Sequence, residues 1–104
     1  MNNIIGSLEE IVLLLVMAKD EEIYGVSVAK QYTIHTGKSI SIPAVHTVLR
    51  RLESKKMIQS RVGGASKERG GRSKRIYDIT NLGRKTLAEI RDNRSKLWEL
   101  SLAK

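Results

Sequence analysis

Between residues 50 and 75 the chain gathers ten basic side chains, Arg50, Arg51, Lys55, Lys56, Arg61, Lys67, Arg69, Arg72, Lys74 and Arg75, against only Glu53 and Glu68. That segment carries the whole net charge of +8, and the rest of the chain sums to zero. Solubility does not require such clustering; a contact with a polyanion does. Just ahead of it, the stretch SIPAVHTVLRR places Pro43, His46, Thr47, Arg50 and Arg51 on one side of a helix, because residues three and four apart share a face. That face is small and polar enough to enter a major groove. The candidate nucleic-acid contacts are therefore Ser41, Pro43, Ala44, His46, Thr47, Arg50 and Arg51 on the helix, and Lys67, Arg69, Arg72, Lys74 and Arg75 beyond it.

Other chemistries find little support. Two histidines and no cysteine are too few for a metal site, and no cofactor is expected. No nucleophile–base pair or paired carboxylates stand at catalytic spacing, so the chain does not read as an enzyme. The stretch GGASKERGG has the glycines of a phosphate-cradling loop but lacks the Gly-Lys-Ser/Thr ending.

These residues need elements to hold them, and 104 residues suffice for one compact domain. With no Phe and one Trp, its core is light enough to call for a partner subunit. The longest apolar run, residues 11–18, is far short of the roughly 20 needed to span a membrane. The start MNNIIGSLEE has no basic region of a secretory signal, so the expectation is a soluble, cytoplasmic protein without a membrane partner.

The stretch GSLEEIVLLLVMA predicts a first helix to about Lys19, with Ser7 and Glu10 spaced as a capping box. Its apolar run occupies every side, so one face needs covering by a second subunit. A charged turn leads to a second helix, with Val28, Tyr32 and Ile34 or His35 inward and Gly37 as its stop. The third helix starts at Ser41, tolerates Pro43 in its first turn, and buries Ile42, Val45, Leu49 and Leu52. MIQSRV and KRIYDIT alternate as strands do, joined by a glycine-rich basic loop as a hairpin. A last helix runs from Thr80, with Leu82, Leu87, Ile90, Leu97, Trp98 and Leu100 on one side.

The pattern predicts a mainly α fold with a small β-hairpin, a winged helix-turn-helix plus a C-terminal dimerisation helix. Residues 1–79 form the winged part and 80–104 the dimerisation helix, in one compact unit. Predicted dimer contacts are Leu8, Ile11, Leu15, Leu87, Ile90, Arg94, Leu97 and Trp98, with Arg94 paired to Glu9 or Glu10 of the other subunit. Trp98 either packs between subunits or offers a stacking surface to a small planar hydrophobic effector.

YGVSVAK (24–30), SIPAVHTVLRRLESKKMI (41–58) and KRIYDITNLGRKTL (74–87), with the spacing between them, resemble the PadR family of winged-helix transcriptional regulators. The most specific feature is a Tyr in the second wing strand, then Thr, two residues and Gly. Where the family has Gly-Thr-x-Tyr near the start of its recognition helix, this chain has Pro43, Ala44, Val45 and His46. The resemblance implies a homodimer with interlocked first and last helices. Its third helices and wings would bind double-stranded operator DNA of two-fold symmetry, as a repressor. A basic RNA-binding module and a protein-interaction adaptor are the alternatives.

Overall fold

The computed structural model describes residues 5–63 and 74–104. Its elements are α1 (Ser7–Ala18), α2 (Gly25–Thr36), α3 (Ile42–Ser54), β1 (Ile58–Gly63), β2 (Lys74–Ile79) and α4 (Asn81–Leu102). The mainly helical architecture with one antiparallel hairpin is the one expected. Both strands fall within one residue of the predicted stretches, paired from Ile58 with Ile79 to Gly63 with Lys74.

The start of α1 differs from the expectation. Gly6 is the N-cap, and the Glu9 carboxylate accepts from its N–H at 2.7 Å. Ser7 is already helical and exposed. Glu9 wins this role because it turns inward, 8% exposed, to meet the Lys55 ammonium at 3.0 Å. Glu10 faces α4 instead. Val12, Leu13 and Val16 of α1 are fully buried, whereas Leu14 stays 40% exposed.

α2 ends as predicted at Gly37, whose φ of 74° lets its N–H reach the Thr33 carbonyl at 2.9 Å. Its inward residues are Val28 and Ala29, with Tyr32 half-buried. Ile34 and His35 are exposed, contrary to the reading from spacing, and the His35 imidazole meets the Gln31 side chain instead. In α3 the buried stripe is Val45, Val48, Leu49 and Leu52. Ile42 stays outside it at 37% exposure, because it sits at the first helical position, beyond the packed turns. α3 closes with Lys56 in a left-handed conformation (φ 66°). The Lys56 N–H reaches the Glu53 carbonyl and the Met57 N–H the Leu52 carbonyl, both at 3.0 Å, the two crossed bonds of a Schellman ending.

Thr80 then joins the hairpin to α4. Its hydroxyl accepts from the Gly83 N–H at 3.0 Å and donates to the Lys56 carbonyl at 2.7 Å. Its own N–H reaches the Met57 carbonyl at 3.0 Å. Only the first turns of α4 join the core, through Gly83, Thr86 and Leu87. From Arg91 onward every residue of α4 is exposed, and the molecule extends 60 Å along its long axis.

Candidate nucleic-acid interface

α3 is held by its apolar stripe so that the opposite side faces out. Ser41 caps it, its hydroxyl accepting from the Ala44 N–H at 3.2 Å. Ser41, Pro43, His46, Thr47, Arg50 and Arg51 are exposed and Ala44 is half-buried. The Thr47 hydroxyl donates to the Pro43 carbonyl at 3.0 Å, which leaves the methyl group and a lone pair for an incoming ligand.

The exposed side of α3, the start of α2 and the base of the hairpin enclose an open groove of about 800 Å³. His46, Arg50 and Glu53 line it from α3, Tyr24, Gly25, Val26 and Ser27 from the start of α2, and Lys74, Arg75 and Tyr77 from β2. The Lys74 ammonium stands 4.9 Å from the Tyr24 ring centre, a cation–π contact. Arg75 donates to the Ser60 hydroxyl at 3.0 Å, which in turn donates to the Glu53 carboxylate at 2.7 Å. This chain of bonds ties the hairpin to α3. Burial, with the Glu53 charge second, pushes the Tyr77 phenol up; Arg75 and Arg50 act against this. A second, shallower depression lies along α3 between Thr47, Arg50, Arg51, Ser54 and Lys55.

The hairpin is anchored to the turn between α1 and α2. The Lys19 ammonium donates to the Tyr77 carbonyl and to Asp78, and Arg61 meets Asp78 at 3.3 Å and Glu22 at 3.6 Å. The Lys19 hydrogen bond to Asp78, helped by the Lys19 charge and by Arg61 and outweighing burial, holds that carboxyl below its ordinary value. Glu9 is also held low: burial pushes it up, but the Gly6 N–H and Lys55 together outweigh that. Tyr77 donates its N–H to the Ile23 carbonyl at 3.2 Å, a further backbone tie between hairpin and turn.

Of the expected nucleic-acid contacts, the structure brings His46, Arg50, Lys74 and Arg75 into one groove and aligns Thr47, Arg50 and Arg51 beside it. Ser41, Pro43 and Ala44 stand at the N-terminal tip of α3, the first two exposed and Ala44 half-buried. Lys67, Arg69 and Arg72 lie outside the described residues. The sequence reading missed Tyr24, Gly25, Val26, Ser27 and Glu53 as lining residues. For the first four the only signal was the YGVS stretch opening α2, and nothing in its spacing shows that it meets α3 and β2.

The expected dimer contacts are divided. Leu97 and Trp98 are exposed, at 62% and 67%, and Leu8, Ile11, Leu15 and Ile90 are half-buried. Leu87 belongs to the chain's own core at 5% exposure. Arg94 pairs with Glu10 of its own chain at 3.2 Å, where α4 crosses α1. Among the described residues no helix is long and apolar enough to cross a membrane, and no group of His, Cys, Asp and Glu could hold a metal ion.

Four helices with a two-stranded wing behind the third define a winged helix-turn-helix protein. More narrowly, the model of the Transcriptional regulator PadR-like family matches residues 13–89, and the chain belongs to that family. The family is one of transcriptional regulators, not enzymes. An uncharacterized protein from Lysinibacillus sphaericus is 33% identical over 87 residues, covering 82% of this chain and 75% of that one. The crystal structure of a PadR-like transcriptional regulator from Bacillus cereus superposes with a TM-score of 0.71 at 23% identity, over 92% of this chain and 88% of that one. Bacillus subtilis PadR in complex with operator DNA superposes with a TM-score of 0.67 at 19% identity, over 81% of this chain but 47% of that one. At these identities the two solved structures speak for the fold.

Proposed function

We propose that the chain is a sequence-specific regulator that binds double-stranded operator DNA, acts as a repressor, and works as a homodimer in the cytoplasm. The observation that carries this reading is the cationic groove shared by α3 and the wing, lined by His46, Arg50, Lys74 and Arg75. α3 enters the major groove, where Arg50 and Thr47 reach base edges; the wing follows the phosphates. The operator complex of the related fold from Bacillus subtilis supports the same partner. Dimerisation is supported by the outer half of α4, where Leu97, Trp98, Leu100 and Leu102 are 62–78% exposed. Apolar side chains so placed on one projecting helix mark an interaction surface. A homodimer would set two α3 helices on a two-fold symmetric site, and its presence there would block transcription. Trp98 offers a flat face to a small planar hydrophobic effector at the dimer centre.

Titration of the protein onto duplex DNA at increasing salt tests the reading. With roughly 6–10 phosphates neutralised, affinity falls about a thousandfold or more between about 50 and 200 mM salt. Structured RNA competes weakly. Arg50→Ala relaxes sequence preference, whereas Lys74→Ala weakens binding to all sequences alike. A salt-insensitive complex, or one that prefers RNA, overturns it.

A further inference from the structure

His46 occupies an unusual seat. The Cε1 side of its imidazole rests on Gly25, in the first turn of α2: a Cβ there would lie 2.7 Å from Cε1, 3.3 Å from Nε2 and 3.4 Å from Nδ1. A side chain at Gly25 could therefore not be accommodated without displacing the imidazole. The His46 side chain remains exposed to the groove, and among the described residues neither ring nitrogen has a hydrogen-bond partner.

Charged and titratable groups line the groove around it from three elements. Arg50 and Glu53 face it from α3, Tyr24 from the lead-in to α2, and Lys74, Arg75 and Tyr77 from β2. Among the described residues, three fixed cations thus stand against one carboxylate, and that carboxylate is already bonded to Ser60. A phosphate entering the groove reverses the local field and makes a proton on the imidazole favourable. Histidine is the side chain whose ordinary charge change falls within the physiological range.

We propose that His46, seated by Gly25, is a proton-coupled DNA contact: its imidazole takes up a proton as duplex DNA enters the groove, so that affinity rises as pH falls. This rests on the DNA-binding reading above. Gly25 acts as a positioning residue.

The test is fluorescence polarisation of the full chain on a mixed-sequence duplex at low salt, from about pH 8 to about pH 6. If phosphate favours the protonated ring about tenfold, affinity rises about sixfold per protomer over that range. His46→Gln flattens the slope, while His35→Gln, at the far end of α2, keeps it. His46→Lys, with a fixed charge, binds at about pH 8 as tightly as the unaltered chain at about pH 6. Calorimetry in two buffers of different ionisation heat registers proton uptake on binding, and His46→Gln removes it. This second readout stands even if one variant folds poorly.

Gly25→Ala, its fold checked by circular dichroism, pushes the ring aside and lowers the slope; a full slope in that variant removes Gly25 from the mechanism. A slope that survives His46→Gln, or binding with no proton uptake, overturns the proposal while leaving DNA binding intact. No binding to duplex DNA at any pH overturns both.

Discussion

Gly83 is the residue on which the joint between wing and α4 depends. A Cβ built there would lie 2.3 Å from the Met57 carbonyl oxygen and 2.8 Å from Ile79 Cγ1. The first of these is a backbone atom that no rotamer change can move. For Gly83→Ala the start of α4 must therefore shift from β1. That movement strains three bonds: Thr80 N–H to Met57 at 3.0 Å, the Thr80 hydroxyl to Lys56 at 2.7 Å, and Gly83 N–H to Thr80 at 3.0 Å. Overpacking of this kind costs about 1–3 kcal/mol, and each lost hydrogen bond about 1 kcal/mol. The helix-forming advantage of Ala over Gly returns about 1 kcal/mol. The net loss is about 2–4 kcal/mol, which for a domain this size lowers Tm by about 10–25 °C. Scanning calorimetry reads this directly. The sign is decisive, because Gly→Ala at an unobstructed helical site stabilises. A variant with unchanged or raised Tm refutes the close-approach argument.

Lys56→Gly acts in the opposite direction. The left-handed φ of 66° costs a side chain about 1–2 kcal/mol, partly offset by the greater unfolded freedom of Gly, so thermal unfolding moves up by a few degrees. Asp78 and Glu9 are both held below their ordinary values of 3.8 and 4.5, so the stability they contribute is present above those values and is lost as pH falls through and below them. Asp78→Asn lowers Tm at neutral pH and flattens the acid-side decline; a variant with the parental acid profile contradicts the Lys19–Asp78 assignment. Trp98→Asp, on the exposed half of α4, shifts the sedimentation coefficient to that of a monomer and weakens DNA binding, without loss of helix content by circular dichroism.

The family model and the fold agree with the resemblance, and particular residues show why so much could be read early. Gly37 stops α2 and Ser41 starts α3 by local chemistry, which neighbouring residues alone dictate. The alternation in KRIYDIT and the stripe at Val45, Leu49 and Leu52 are likewise local periodicities. The accumulation of charge between residues 50 and 75 needs no fold to be seen.

What required the tertiary structure were pairings between distant residues. Spacing points to Ser7 and Glu10 as the cap of α1; Lys55, 46 residues from Glu9, draws Glu9 inward, and Glu9 caps the Gly6 N–H instead. Arg94 stands on the apolar side of a helical projection, yet the crossing of α1 and α4 supplies Glu10 within the same chain. Gly25 and His46 touch only because α2 and α3 pack at that point, and Tyr24 meets Lys74 only across the groove. Local hydrogen bonding and burial preference are written in neighbouring residues. The partner of an exposed charge or ring is chosen by which elements the core brings together, so it belongs to the fold.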